Sequence, residues 1–203
     1  QMNALSAPNL LEINFEIFVE NLKNAALTRN YKSLNQLLSP FFERDLSHYT
    51  ILEQAWLNYF LGYYSVHYGK AANLRSFQEK GADYLTNALE MFDSLGMADE
   101  SIEAQITLGF SYHQVGKIED YEAFLLDALD RCRPNSDPFY SIQVSLLIIY
   151  FDKEKISEAK KIIGDIENKG LCDNPRIRCQ YYHNAGRIWQ SVKNLTTAAN
   201  FYR

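Results

Sequence analysis

The 203-residue chain has few of the residues that interrupt regular structure, with only nine glycines and five prolines. This composition excludes the collagen-like and low-complexity classes. Its three cysteines, Cys132, Cys172 and Cys179, are an odd number without paired spacing, so they indicate neither a disulfide framework nor a zinc knuckle. The longest apolar run, 144–151, is interrupted by Ser145 and is far shorter than the roughly 20 residues of a membrane helix. We therefore expect a globular protein that does not engage a membrane.

Charge is also modest, with 20 basic and 25 acidic side chains and a net charge of −5 at pH 7. A mildly acidic chain is a poor match for duplex nucleic acid, because binding to phosphates requires a surplus of positive charge. The first eight residues contain neither the basic nor the apolar region of a secretory signal. We therefore predict a cytoplasmic protein with no nucleic-acid partner.

What the chain does contain is apolar residues at helical spacing almost throughout, as in Leu57, Phe60, Leu61 and Tyr64. No segment alternates with the period of two that is typical of a half-buried strand. Glycine or proline follows the end of several apolar stripes, and we interpret these positions as helix stops: Pro40, Leu95-Gly96, Arg133-Pro134, Lys169-Gly170 and Asn174-Pro175. The pattern predicts an all-α fold of about ten helices.

A self-similar pattern recurs along these helices. Leu61-Gly62, Leu108-Gly109 and Ala185-Gly186 each place a small residue on a helix face, and a second apolar helix follows each of them. Aligned on the small residue, the repeats begin near Ala55, Ile102, Tyr140 and Cys179, spaced 47, 38 and 39 residues apart. A glycine or alanine there lets the second helix of a pair cross closely. This pattern resembles the tetratricopeptide repeat (TPR), in the long-helix variety of signalling and regulatory proteins.

The resemblance implies a right-handed superhelix of antiparallel helix pairs that forms one solenoid over residues 1–203. We expect a degenerate repeat at 15–47, repeats near 55–96, 102–134 and 140–170, and an incomplete one at 179–203. The first spacing is longer than the family's usual period of 34, so we expect an insertion around 70–78. Because the last repeat stops before its second helix is complete, we expect the chain to be the N-terminal part of a longer protein.

In this family the second, fifth, ninth and twelfth or thirteenth residues of each first helix line the concave groove. Here that surface is unusually aromatic, which favours contact with a peptide or with the apolar face of an amphipathic helix. The predicted partner-binding residues are Tyr59, Tyr63, His67, Phe110, His113, Gln114, Phe151, His183 and Arg187. Alternatively, these side chains pack against the next repeat or are covered by the N-terminal helices.

Signs of chemistry are scarce. The four histidines have no metal-binding spacing, and phosphate-binding glycine loops and nucleophile motifs do not occur. We therefore predict a non-enzymatic protein with no metal and no cofactor. The lysine, asparagine and arginine clamp by which some TPR proteins hold the carboxylate tail of chaperones is matched only by Asn184, so we do not expect that ligand.

Two other functions remain open beside a regulatory or scaffolding role in signalling or transcription control. Helical repeats resembling response-regulator phosphatases could carry a catalytic bundle, here Leu10 to Leu46 with Gln36 or Glu43 as candidate polar groups. The last helix, Thr196 to Arg203, could instead mediate homodimerisation.

Overall fold

The computed structural model describes residues 14–202, and within this range every regular element is helical. Ten α-helices follow one another, as the sequence predicts. They are α1 (Phe15–Leu27), α2 (Tyr31–Leu38), α3 (Ile51–Ala71), α4 (Arg75–Ser94), α5 (Ala98–Gln114), α6 (Ile118–Arg131), α7 (Asp137–Asp152), α8 (Ile156–Lys169), α9 (Pro175–Ser191) and α10 (Leu195–Tyr202). One turn of 3-10 helix, Ser39–Phe41, follows α2.

The chain divides into two compact units, one that extends to Val115 and one that begins at Gly116. Unit 1 contains α1 to α5, and unit 2 contains α6 to α10. The single continuous solenoid and its repeat boundaries stay predictions.

Helix starts are specified locally by polar side chains. Thr50 and Glu53 form a capping box at α3, where the Thr50 hydroxyl accepts from the Glu53 N–H and the Glu53 carboxylate accepts from the Thr50 N–H. Asn174 caps α9 and Pro175 is its first residue. The interpretation of Asn174-Pro175 as a helix stop was therefore wrong, because a proline at the first helical position has no hydrogen bond to lose and its fixed φ suits a helix start.

Six turns of three residues join α1 to α2, α3 to α4, α4 to α5, α5 to α6, α7 to α8 and α9 to α10. The middle residue of each turn has a left-handed backbone, with φ between 51° and 82°. In five of the turns the following N–H donates to the carbonyl five residues earlier, at 2.7–3.0 Å, which is the Schellman closure of a helix end. Only two of the six middle residues are glycines; they are Arg29, Asn73, Gly96, Gly116, Glu154 and Lys193.

The helix pair α3 and α4 is the longest in the chain, and its close packing depends on glycines. A Cβ added at Gly62 would lie 2.5 Å from Leu85 Cγ and 2.9 Å from the Gly81 carbonyl oxygen, so the two helices cross without room for a side chain. Most of the expected insertion at 70–78 is helical, because it extends the end of α3 and the start of α4 around a turn of three residues.

The same device recurs in unit 2. A Cβ at Gly186 of α9 would lie 2.6 Å from the Tyr202 ring of α10. In unit 1, Gly109 of α5 is also buried. The prediction that Gly62 and Gly186 meet an adjoining helix is confirmed by these distances.

Candidate functional site

The nine predicted contact residues divide between the units. Six of them, from Tyr59 to Gln114, belong to α3 and α5 of unit 1, and three, Phe151, His183 and Arg187, belong to α7 and α9 of unit 2. All nine lie on the first helix of a predicted pair, which is where the TPR resemblance places them.

Two of the nine are not surface residues. Tyr63 is only 3% exposed, and its hydroxyl donates to the Ala26 carbonyl of α1 at 3.2 Å. Tyr59 is also buried, with its ring centroid 6.0 Å from that of Trp56 and 6.3 Å from that of Phe92. The prediction that they contact a partner is therefore corrected, because α1 covers Tyr63 and core rings surround Tyr59. This is the alternative in which the N-terminal helices cover part of the aromatic surface.

Beyond Tyr63 the same face continues with half-buried rings. The His67 and Phe110 rings lie 5.1 Å apart and nearly parallel, at 24°, and Phe110 and His113 follow at 6.3 Å and 18°. The Lys70 ammonium lies 4.8 Å from the Phe110 ring centroid, a cation–π distance. We call His67, Lys70, Phe110 and His113 the unit 1 cluster. It offers flat apolar area rimmed by polar atoms, which suits contact with an apolar side chain.

Gln114 follows the unit 1 cluster at the end of α5. Its amide nitrogen and oxygen are both buried and have no hydrogen-bond partner among residues 14–202. A buried amide without partners costs free energy, so the hydrogen-bonding capacity of Gln114 is unused in the isolated chain.

Unit 2 presents a different arrangement. The guanidinium carbon of Arg187 lies 4.3 Å from the centroid of the Phe151 ring, and both side chains are half-buried. Asn184, one turn before Arg187, is buried and donates from Nδ2 to the Val144 carbonyl at 3.2 Å, which ties α9 to α7. His183 is exposed, with its ring centroid 6.3 Å from that of Tyr202. We call Phe151, His183 and Arg187 the unit 2 cluster.

A third group of rings was not predicted. Tyr64 and Tyr68 of α3 stack at 5.1 Å and 7°, and Phe77 of α4 contacts both at 5.8 and 6.2 Å. Tyr31 and Phe42 complete this five-ring cluster. The spacing of four between Tyr64 and Tyr68 is the signal that could have indicated it.

The candidate polar groups of the phosphatase-like alternative are exposed in unit 1. Gln36 lines a cleft of about 390 Å³ whose other lining residues come from α1, α2 and the 3-10 turn. Glu43 pairs with Lys80, and the hydrogen bond and charge of Lys80 hold the pKa of this carboxyl below its ordinary value. A carboxylate kept ionised in this way is unsuited to act as a general acid at neutral pH. The Leu10 end of that segment lies outside the described residues.

The last helix carries apolar surface. Leu195 and Tyr202 are 67% and 49% exposed, although the Tyr202 ring also covers Gly186 and its hydroxyl donates to Gln190 Oε1 at 3.3 Å. Phe201 packs against Tyr181 at 6.0 Å between ring centroids. Homodimerisation through this helix stays a prediction, and Arg203 lies outside the described residues.

Two kinds of feature are absent from residues 14–202. No three histidine, cysteine or acidic side chains come together as a metal-binding group within this range. None of its helices has the length and apolar content to cross a membrane.

Comparison with solved structures places this architecture among helical-repeat proteins. A Podosopora anserina protein described as a kinesin light chain with nearly identical TPR-like repeats gives a TM-score of 0.51 at 14% identity, over 95% of this chain and 91% of that chain. BtubC (BKLC) from P. vanneervenii gives 0.57 at 16% identity, over 95% of this chain and 76% of that chain. No protein-family model and no curated protein sequence matches. At these identities the likeness shows the fold, and it confirms the TPR-like repeat that the sequence predicts.

Proposed function

We propose that this chain is a protein- or peptide-binding module that acts without catalysis. Its role would be the regulatory or scaffolding part of a larger signalling or transcription-control protein in the cytoplasm. The partner is a peptide or the apolar face of an amphipathic helix. The TPR-like fold supports the proposal, because stacked helix pairs present a long surface on which the first helices contribute side chains to a bound segment.

The observation that carries the proposal is the unit 1 cluster. The Phe110 ring centroid lies 5.1 Å from that of His67 and 6.3 Å from that of His113, and none of the three rings is fully buried. Rigid rings lose little conformational entropy on binding and often dominate interface energy. The nearby Lys70 adds a cation that can donate a hydrogen bond to a peptide carbonyl or to the last carbonyls of a helix.

The proposal predicts that Phe110→Ala weakens binding of a selected peptide. A phage-displayed random peptide library is selected against the full chain, and the best peptide is synthesised for titration calorimetry. We expect at least about a fivefold increase in Kd, the equivalent of ~1 kcal/mol for a central aromatic anchor. Far-UV circular dichroism should be unchanged, since the Phe110 ring is half-buried rather than part of the inner core.

Phe77→Ala is the matched control, because it removes a half-buried ring of the same kind from unit 1 but from the five-ring cluster. Its Kd should match that of the unmodified chain. A selection that yields no binding peptide, or a peptide whose Kd responds to Phe77→Ala and not to Phe110→Ala, would contradict the proposal.

A further inference from the structure

Arg187 differs from the arginines that have ion pairs on the surface. Arg75, Arg131 and Arg178 lie 3.1, 3.5 and 3.8 Å from Glu79, Asp127 and Asp173. Arg187 has neither an ion pair nor a hydrogen bond to any residue in the range 14–202, and its guanidinium carbon lies 4.3 Å from the centroid of the Phe151 ring. A half-buried guanidinium therefore keeps its hydrogen-bonding capacity unused.

The Phe151 contact orients Arg187 without occupying its donors. An aromatic face attracts the cation through its quadrupole, whereas the five N–H groups of a guanidinium lie in its plane and need oxygen acceptors. The Asn184 bond to the Val144 carbonyl holds α9 against α7, the helix that carries Phe151. Pre-organisation of this kind lowers the entropy lost when an acceptor binds.

We propose that the unit 2 cluster is an anion anchor that binds the carboxylate of an aspartate or glutamate side chain in a peptide partner. Arg187 would donate two parallel hydrogen bonds to the carboxylate, and the half-buried Phe151 would contact the neighbouring apolar part of the peptide. The inference rests on the proposed function, and it adds the chemistry of one partner residue.

Charge complementarity selects this occupant. The segment Pro175–Ser191 contains three arginines and no acidic residue, so α9 attracts negative charge. Arg176 and Arg178 both have other interactions in the structure. One available guanidinium matches the single charge of a carboxylate, whereas a phosphoryl group of nearly two charges is better matched by several cations.

The test compares Arg187→Gln with the unmodified full chain, using peptides from the phage-displayed random library. The peptides that bind the unmodified chain should include a class that shares an acidic residue at one fixed position. We expect Arg187→Gln to weaken the best such peptide roughly tenfold, the usual effect of losing a charge-assisted hydrogen bond. Replacing the acidic residue of the peptide by its amide should cost the same factor with the unmodified chain and almost nothing with Arg187→Gln.

Arg178→Gln is the matched control, since it removes the same charge from the same helix but from an arginine paired with Asp173. Its Kd should change less than about twofold, as for other surface ion pairs. Unchanged thermal unfolding of both variants shows that each remains folded. Raising the salt concentration from about 50 to about 500 mM should weaken peptide binding by the unmodified chain more than peptide binding by Arg187→Gln.

Each failure has a distinct outcome. If no class of binding peptides shares an acidic position, or if that class tolerates Arg187→Gln, this inference is overturned and the proposed function stands. Stronger binding of the same peptide with phosphoserine at the acidic position overturns the assignment of a carboxylate. A library that yields no peptide contradicts the proposed function and, with it, the anion anchor.

Discussion

The two units are built from similar helix pairs, yet they differ in charge and in the use of their aromatic rings. Residues 1–115 contain 7 basic and 13 acidic side chains, whereas residues 116–203 contain 13 and 12. Unit 1 stacks imidazole and phenyl rings on one another, and unit 2 places a guanidinium over Phe151. The net charges of −6 and +1 mean that an acidic peptide segment is repelled by unit 1 and tolerated by unit 2. One helical framework thus carries two surfaces with different ligand preferences.

The units also offer matched reporters for testing this contrast. Each has a single tryptophan, Trp56 in unit 1 and Trp189 in unit 2, and a lysine ammonium lies 4.7 Å from each indole ring. Trp189→Phe leaves fluorescence from unit 1, and Trp56→Phe leaves fluorescence from unit 2. Urea unfolding in these two backgrounds therefore measures the stability of each unit separately.

The largest effect is expected from adding one methyl group to the glycine crossing of unit 1. Gly62→Ala should lower the free energy of unfolding of unit 1 by about 2 kcal/mol, because its Cβ would lie 2.9 Å from the Gly81 backbone oxygen and 2.5 Å from Leu85. The same change at Gly164 of α8 meets no atom within 4 Å. Gly164→Ala should stabilise unit 2 by up to about 1 kcal/mol through helix propensity. If the free energy of unfolding changed in the same direction in both variants, close helix crossing would not distinguish these two positions.

A smaller effect is expected where a ring of unit 1 serves packing instead of binding. Tyr63→Phe should destabilise unit 1 by about 1 kcal/mol, because it removes the hydroxyl that donates to the Ala26 carbonyl. Peptide affinity should change only if losing this hydrogen bond moves α1. Tyr68→Phe is the control on the same helix, since its hydroxyl makes no hydrogen bond within residues 14–202 and its loss should be neutral. A weaker peptide Kd with unchanged unfolding for Tyr63→Phe would return Tyr63 to the contact surface.

The smallest effect concerns an ion network of unit 2 and its dependence on pH. Lys153 binds Glu119 at 2.6 Å and also binds Glu122, which is 12% exposed and accepts from Lys155 at 3.3 Å. Burial raises the pKa of Glu122, but the hydrogen bonds from Lys153 and Lys155 outweigh it and hold that pKa below its ordinary value. Because the folded pKa is lowered, the stabilisation is present above the ordinary carboxyl range and is lost as pH falls through the folded pKa.

We therefore expect Glu122→Gln to reduce the loss of unit 2 stability on acidification from pH about 6 to about 3. Urea midpoints in the Trp56→Phe background measure the change. Glu119→Gln is the control, because its side chain is 81% exposed and solvent screens its ion pair. If acidification reduced the stability of unit 2 equally in the unmodified protein and in Glu122→Gln, other groups would control the acid limit of unit 2.

Much of the fold could be predicted because helix formation and pairing depend on local pattern. Apolar spacing identifies the helices, and small residues at Gly62 and Gly186 mark where two helices cross closely. The turns were only partly predictable. Of the six left-handed middle residues only Gly96 and Gly116 are glycines. Glu154 and Lys193 carry no such sequence signal, because the Schellman hydrogen bonds around them compensate for an unfavourable backbone.

The candidate site was less predictable than the fold. The repeat alignment places Tyr63, Phe110 and Arg187 at the ninth position of their repeats. Equivalent positions in an alignment do not determine how exposed each side chain is. The five-ring cluster of unit 1 was missed, because three of its five rings come from segments other than the first helix α3, on which the TPR resemblance places the contact residues. Exposure depends on which other segment covers a side chain, and a repeat alignment contains no information about that.

By itself the sequence determined that this protein is a chain of paired helices, since periodicity, caps and small crossing residues act over a few turns of backbone. Only the tertiary structure decided which of three equivalent side chains is buried under α1, which stacks with histidines and which faces a phenyl ring with its donors unpaired. The physical reason is that burial and partner choice depend on contacts between residues distant in sequence, such as Tyr63 with Ala26 and Arg187 with Phe151.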